Sequence, residues 1–228
     1  MLIVKDLEIT IGARTLMSEV NFRVAAGDKI GLVGRNGAGK TTLTKILAGD
    51  GIPSAGSVDR IGEIGYLPQD PRTGDPEELA RDRILNARGL GDLLRQLGAS
   101  AEAMSSSTGS EAEAAMKKYS KLEERFQAAG GYSAEAQGAA IASNLGIEER
   151  ILSQPLKTLS GGQRRRVELA RILFSSAETM LLDEPTNHLD ADSVVWLRDF
   201  LRSYQGGLIV ISHDIDLVET TVNRVFYL

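Results

Sequence analysis

The sequence predicts an α/β protein in which a parallel sheet flanked by helices accompanies a small antiparallel sheet and an inserted helical segment. Towards both ends of the chain, apolar strands alternate with helices, a pattern typical of parallel sheets. From about residue 73 to residue 155 the composition shifts to Ala, Glu, Leu, Lys and Arg at helical spacing. We therefore expect a single domain with an α/β core, residues 1–72 and 156–228, and an inserted helical subdomain, residues 73–155.

The first part of the core begins with β-rich segments. A turn at Gly12 separates them, and the alternation of apolar and polar residues after it favours a small antiparallel sheet. A second turn, at Gly27, leads into a continuous apolar run that indicates a buried strand. The predicted strands are residues 2–4, 7–11, 20–24, 29–33 and 64–67, and the predicted helix is residues 42–48.

The inserted segment is expected to be mainly helical. Residues 99–110 are rich in Ser, Ala and Gly and predict a flexible connection. Residues 111–129 then predict a charged helix that ends at Gly130. Its Lys and Glu residues indicate either a solvated helix face with supporting ion pairs or a surface that binds a partner.

The second part of the core returns to the α/β pattern. Helices are predicted at residues 163–174 and 192–203, and buried strands at residues 179–182 and 208–211. The final residues, 224–228, form another β-like run.

Composition excludes several classes of protein. The 228 residues include no cysteine, so disulfides and thiolate metal sites are excluded and a reducing compartment is favoured. No apolar run approaches the length needed to cross a bilayer, so we expect no membrane span and a cytoplasmic location. The formal net charge of −5 gives no general attraction to nucleic acid, and any RNA contact would need a local basic patch.

A phosphate-binding loop is predicted at residues 34–41. Their sequence, Gly-Arg-Asn-Gly-Ala-Gly-Lys-Thr, matches G-x-x-x-x-G-K-[ST] between a predicted strand and a predicted helix. Glycines let backbone N–H groups turn onto a phosphate, Lys40 reaches the terminal phosphates and the Thr41 hydroxyl binds Mg²⁺. An ordinary glycine-rich turn is the alternative. The predicted nucleotide-binding residues here are Gly34, Asn36, Gly37, Ala38, Gly39, Lys40, Thr41 and Thr42.

Two acidic residues follow the predicted strand at residues 179–182. Ligands of open α/β sheets bind at the carboxyl ends of strands, where Asp183 would hold Mg²⁺ and Glu184 would act as general base on the attacking water. A helix cap with surface charge is the alternative for this pair.

A second glycine motif, Leu-Ser-Gly-Gly-Gln at residues 159–163, begins a predicted helix, and Ser-His-Asp follows a strand at residues 212–214. With the phosphate loop and the strand-end acids, these motifs resemble the nucleotide-binding cassette of ATP-binding cassette (ABC) proteins, in the order of that family and over the whole chain. The resemblance implies the fold of a phosphate-loop ATPase with an antiparallel β subdomain and a helical signature subdomain.

The resemblance also implies roles that the spacing of the motifs alone cannot show. Gln69 would join Mg²⁺ and the attacking water, and His213 would contact the γ-phosphate. Ser160 and Gly162 would contact ATP bound to a second cassette, and Asp190 would lie at the seam between the two. Catalysis would then require a pair of cassettes.

The octapeptide Asp-Glu-Pro-Thr-Asn-His-Leu-Asp at residues 183–190 resembles the ABC-F group. Members of that group carry twin cassettes and act on ribosomes, as translation factors or in resistance to ribosome-targeting antibiotics. The looser similarity of residues 122–132 to that group's helical subdomain agrees with this. The competing hypothesis is an ATPase subunit of a membrane transporter. A third hypothesis, compatible with the ABC-F one, is a clamp in which ATP binding does the work and hydrolysis only resets it.

Two features depart from the family pattern. Ile11 stands where the family usually has an aromatic residue that stacks on adenine, so we expect base recognition to be weak. The chain ends in a β-like run where an ABC-F protein continues into a linker. We therefore expect an excised N-terminal half, with the second cassette of the same polypeptide as its partner.

Overall fold

A computed structural model describes residues 1–69 and 74–228, which form two compact units. One contains residues 1–69 and 176–228, and the other contains residues 74–175. The strands are β1 Leu2–Ile11, β2 Arg14–Val24, β3 Lys29–Val33, β4 Ala55–Arg60, β5 Ile64–Leu67, β6 Thr179–Asp183, β7 Gly207–Ile211 and β8 Arg224–Tyr227. The helices are α1 Lys40–Ala48, α2 Ala80–Leu85, α3 Gly91–Ser106, α4 Ser110–Ala128, α5 Gly131–Asn144, α6 Glu149–Leu152, α7 Gly161–Phe174, α8 Ala191–Ser203 and α9 Ile215–Thr221.

The first unit is built on a five-stranded parallel sheet with the strand order β5-β6-β7-β3-β8. Every residue of β6 and β7 is buried, which explains why these strands are continuous apolar runs. Because all five strands run in the same direction, the segments that follow β3, β5, β6 and β7 leave from one edge of the sheet. The phosphate loop, Gln69, the acidic pair Asp183 and Glu184, and His213 lie at that edge.

A three-stranded antiparallel sheet, β2-β1-β4, belongs to the same unit. The inward residues of β1, including Leu2, Val4 and Leu7, pack in one cluster with Leu47 of α1 and Leu181 of β6. Ile11, at the end of β1, pairs with Arg14 and stays 55% exposed. The small sheet therefore covers α1 while presenting the end of β1 to solvent.

Helix α1 is held at both ends by specific backbone geometry. Gly39 precedes it with a φ of 99°, and Gly49 follows it with a φ of 93°, both in the left-handed region. At its C-terminus, Arg60 of β4 donates from Nε to the carbonyl oxygen of Leu47 at 2.8 Å and from Nη2 to that of Ile46. A guanidinium at this position satisfies terminal carbonyls and complements the helix dipole.

The second unit is helical. Helices α3 and α4 pack on each other, with Leu122 and Phe126 as the buried residues of α4. Helix α7 is joined to α2 by Glu168, whose two carboxylate oxygens lie 2.6 Å from Nε of Arg83 and 2.9 Å from Nε of Arg171. Among the residues that the structure describes, no helix is both long and apolar enough to cross a membrane.

The expected flexible connection at residues 99–110 is wrong. Helix α3 continues to Ser106, and residues 107–109 alone separate it from α4. Leu93, Leu97 and Ser100 form its buried face, and alanine favours a helix, so packing decides against the linker suggested by composition.

Two further features differ from the expectation. Strand β4 was not predicted, because Val58 is its one residue that is not exposed and no alternation marks it. The helical unit extends to Ser175 instead of residue 155, since α7 groups with α2 and α5. The other expected boundary, between residues 72 and 73, lies outside the described residues.

Candidate functional site

A cleft of about 460 Å³ opens at the edge of the parallel sheet where β3, β5, β6 and β7 end. It contains ten of the side chains or backbone positions that the sequence predicted as site residues. These are Asn36, Gly37, Gly39, Lys40, Thr41, Thr42, Gln69, Asp183, Glu184 and His213. The volume lies in the range of small-molecule sites.

The phosphate loop connects β3 to α1 along one side of the cleft. Gly37 has a φ of 80°, and a Cβ atom added there would meet nothing within 4 Å, so the loop is open at this point. Ala38 donates its backbone N–H to the carbonyl oxygen of Arg35 at 3.1 Å. Lys40 Nζ reaches back across the loop to the carbonyl oxygens of Gly34, at 2.7 Å, and Arg35, at 3.2 Å. The ammonium group of Lys40 thus spans the loop.

The hydroxyl of Thr41 donates to the carboxylate of Asp183, with an Oγ1 to Oδ2 distance of 2.8 Å. Thr41 lies in the first turn of α1, whereas Asp183 is the last residue of β6 and is 2% exposed. This contact brings together two of the three residues that the sequence assigned to Mg²⁺, from widely separated motifs. It places a hydroxyl and a carboxylate beside the phosphate loop.

Glu184 and His213 face each other at the ends of β6 and β7. His213 Nε2 lies 3.4 Å from Oε1 of Glu184, and the backbone N–H of His213 donates to Oε2 at 3.3 Å. The Glu184 side chain is 11% exposed, while that of His213 is 75% exposed. A mostly enclosed carboxylate is therefore in contact with an imidazole that is open to solvent.

The backbone of Glu184 is unusual. Its φ of 50° lies in the left-handed region, which costs free energy for a residue with a Cβ atom. Its N–H donates to the carbonyl oxygen of Ile211 at 2.8 Å, one bond beyond the last paired residues of β6 and β7. This bond fixes the turn that directs the carboxylate into the cleft.

The remaining predicted residues lie in two places. Gln69, which follows β5, is an exposed residue that lines the cleft. Ser160 and Gly162 lie in the helical unit at the N-terminus of α7. There Ser160 Oγ accepts from the N–H of Gln163, and Gln163 Oε1 accepts from the N–H of Ser160, which completes a capping box.

The segment between β6 and α8 also has defined local structure. His188 has a φ of 69°, and Asp190 accepts from the N–H of Ser193 at 2.9 Å as the N-cap of α8. Asp190, predicted at a cassette seam, therefore also begins the helix that follows.

Sequence reasoning missed Leu16, Asn187 and Ile211 as lining residues of the cleft. Leu16 of β2 lies 2.9 Å from the position that a Cβ atom of Gly39 would take, so it packs directly on the phosphate loop. With Ile11 it forms an apolar wall of the cleft. No local pattern identifies Leu16, because its position depends on how the small sheet packs.

Comparisons with known proteins identify the family. Residues 17–187 match the family described as ABC transporter. Over 225 residues the chain is 39% identical to the tylosin resistance ATP-binding protein TlrC of Streptomyces fradiae, covering 93% of the chain and 40% of that protein. Over 234 residues it is 32% identical to ABC transporter F family member 4 of Arabidopsis thaliana, covering 99% of the chain and 31% of that protein.

The fold is also that of solved cassettes. A dimeric ATP-binding cassette in a post-hydrolysis state, bound to ADP and Pi, matches with a TM-score of 0.67 and 20% identity, over 100% of this chain and 94% of that one. The chain therefore belongs to the ATP-binding cassette family of ATPases. One of its relatives in that family is named as a member of the F group. The chain spans less than half the length of these two relatives.

These findings confirm the predicted family and fold class. The parallel sheet, the antiparallel sheet and the helical insertion are all present. The roles of the individual site residues stay predictions.

The apolar wall leads to a prediction about base preference. Ile11 and Leu16 offer the base van der Waals contact without an aromatic face or a hydrogen-bonding group, so purines should be poorly distinguished. We expect the affinities for ATP and GTP to differ by less than about tenfold, or about 1.4 kcal/mol. Competition binding measures the ratio, with Ile11→Tyr as the comparison variant that restores a stacking ring. A hundredfold preference of the unaltered chain for ATP would contradict this prediction.

Proposed function

We propose that this chain binds and hydrolyses ATP as one cassette of an ABC-F protein that acts on the ribosome. The observation that carries the catalytic part is the meeting of two contacts in one cleft. Thr41 touches Asp183 on the side of the phosphate loop, and Glu184 touches His213 beside them. The helical unit would be the signature subdomain of the cassette, and the α/β unit its nucleotide-binding core.

The phosphate loop would hold the triphosphate. Backbone N–H groups from Gly37 to Thr42 point towards an anion in this class of loop, and the N-terminus of α1 adds its dipole. Lys40 would exchange its carbonyl partners at Gly34 and Arg35 for phosphate oxygens, which are stronger acceptors for an ammonium. Asn36, Gly34 and Ala38 would shape the loop around the phosphates.

The residues beside the loop fit Mg²⁺. This ion prefers oxygen ligands and is usually held by one or two carboxylates together with substrate phosphates and water. Thr41 and Asp183 supply a hydroxyl and a buried carboxylate 2.8 Å apart, and the amide of Gln69 lines the same cleft. The ion would neutralise charge on the phosphates.

Glu184 would act as general base. A carboxylate that is 11% exposed and opens into the cleft is placed to take a proton from a water molecule aligned with the terminal phosphate. His213, which is open to solvent, would leave Glu184 and contact the γ-phosphate, while Gln69 would help to orient the water. The 3.4 Å distance between Nε2 of His213 and Oε1 of Glu184 places both side chains at the same part of the cleft.

Completion of the site would require a second cassette. Ser160 and Gly162, at the N-terminus of α7, would contact ATP bound by the partner, as the helix end favours an anion. The dimeric cassette of the same fold, bound to ADP and Pi, supports this arrangement. The partner would be the other cassette of the same polypeptide.

Action on the ribosome, in the cytoplasm, is supported by the resemblance of residues 183–190 to the F group. Of the relatives, one is named as a member of that group and another as a tylosin resistance protein. The alternative is the ATPase subunit of a membrane transporter, which the family's description favours. Both would use the same cleft, so the cleft cannot discriminate between them.

The first prediction from this proposed mechanism concerns the general base. Glu184→Gln keeps the size of the side chain and its contact with His213 but cannot accept the proton. We expect ATP affinity to be retained while turnover falls by a factor of about 10²–10⁴. Calorimetry and a phosphate-release assay measure the two quantities, and Glu219→Gln, on α9, is the matched control. Wild-type turnover in Glu184→Gln would require a different base.

The second prediction concerns pairing. Each cassette alone holds two half-sites, one at the phosphate loop and one at Ser160 and Gly162. The wild-type chain should therefore be mainly monomeric and should hydrolyse ATP slowly. In Glu184→Gln, uncleaved ATP should join two copies, because a ligand that binds the pair stabilises it by mass action. Light scattering over a concentration series, with and without Mg-ATP, tests this, and Ser160→Arg should abolish the association. A fast ATPase whose specific rate is independent of protein concentration would contradict the paired site.

The third prediction separates the two cellular roles. In a lysate supplied with Mg-ATP, the Glu184→Gln form of the full polypeptide should sediment with ribosomes, and Lys40→Ala should not. Sedimentation with membranes instead would support the transporter subunit and would reject the ribosomal role.

A further inference from the structure

We propose that Arg198 is a positioning residue that fixes the loop carrying His213 relative to Glu184. The inference deepens the proposed ATPase function and rests on it. No motif singled out Arg198, which lies on α8 outside the cleft.

The Arg198 guanidinium is centred on Asp214, the residue after His213. Its Nη2 donates to Oδ1 of Asp214 at 3.0 Å and to Oδ2 at 3.1 Å, and it lies 3.4 Å from Oδ2 of Asp216. The side chains of Arg198 and Asp214 are 24% and 20% exposed, whereas that of Asp216 is 73% exposed. The partly enclosed pair with Asp214 is therefore the dominant contact.

Asp214 in turn controls the local backbone. Its Oδ1 accepts from the N–H of Leu217 at 2.9 Å as the N-cap of α9, and its own N–H donates to Ser212 Oγ at 3.0 Å. These bonds leave His213 between two residues that are tied to each other. A shift of Asp214 therefore moves His213 directly.

Helix α8 connects this loop to the other half of the catalytic pair. It begins at the cap Asp190, which ends the segment that starts with Asp183 and Glu184. Arg198 lies two turns further along the same rigid helix. The backbone of His213 is thus held from two sides, by the hydrogen bond from its N–H to Oε2 of Glu184 and by the anchoring of Asp214 to α8.

The ordinary alternative is that the ion pair only helps α8 and α9 to pack. Partly exposed ion pairs contribute little to global stability, so that role would give a small change in unfolding and none in chemistry. A positioning role predicts a large fall in the ATPase rate and a small change in the free energy of unfolding. Small misplacement of a reacting group lowers the rate much more than it lowers stability. The ATPase rate and the NMR signals of His213 therefore distinguish a positioning role from a packing role.

The experiment compares four single variants and one double variant. Arg198→Met removes the charge and keeps much of the side-chain length, and Arg198→Lys restores a cation. Asp214→Asn removes the ion pair but keeps a good N-cap. Arg202→Met, one turn away, is the matched control, because Arg202 is 60% exposed and its nearest carboxylate, on Asp199, is 3.8 Å away.

For Arg198→Met and Asp214→Asn we expect kcat to fall by about tenfold to a hundredfold, with KM for ATP unchanged. The double variant should be no slower than either single one, because both remove the same interaction. Arg198→Lys should recover part of kcat, and Arg202→Met should match the wild type. Wild-type kcat in Arg198→Met, or equal losses in Arg198→Met and Arg202→Met, would overturn the proposal.

A second readout does not depend on turnover. The chain contains two histidines, so a two-dimensional NMR spectrum of the imidazoles can be assigned with His188→Gln. Arg198→Met and Asp214→Asn should shift the signals of His213 and leave those of His188 unchanged, whereas Arg202→Met should shift neither. Unchanged His213 signals in both Arg198→Met and Asp214→Asn would overturn the positioning role. Failure of the ATPase proposal itself would appear separately, as wild-type turnover in Glu184→Gln.

Discussion

The hydrogen bond between Thr41 and Asp183 is the constraint on which the rest of the structure depends. It joins residues 142 positions apart and brings the phosphate loop and the end of β6 together. It requires β3 and β6 to be parallel members of one sheet, with β7 between them, so that their carboxyl ends lie at the same edge. The helical insertion is tolerated because the chain leaves the sheet after β5 and returns at β6, its neighbour.

The small antiparallel sheet holds α1, the helix that carries Thr41. Leu16 packs on Gly39 at the start of α1, and Arg60 holds the carbonyl groups at the end of α1. The helix that carries Lys40 and Thr41 is therefore held at both ends by one sheet. Ile11, which lines the cleft, belongs to the same sheet.

Sequence alone predicts the parts of this fold that have strong local patterns. Strands β3, β5, β6 and β7 are buried, largely apolar runs, and their predicted positions agree with the structure within one residue. Strand β4 has no such pattern, and the composition of α3 misleads because tertiary packing decides its length. In the site, the motifs identify Lys40, Thr41 and Asp183, but not Leu16 or Arg198. Both of those act through contacts with residues distant in the sequence, for which no local pattern exists.

The most direct test of this account is the effect of Mg²⁺ on ATP affinity in two Thr41 variants. Thr41→Val keeps the shape of the side chain and loses its hydroxyl, whereas Thr41→Ser keeps the hydroxyl. Calorimetry with and without Mg²⁺ should show that the ion strengthens ATP binding by at least about tenfold in the wild type and in Thr41→Ser, a gain of about 1.4 kcal/mol. That gain should be lost in Thr41→Val. An equal gain in all three proteins would contradict a magnesium site at the contact between Thr41 and Asp183.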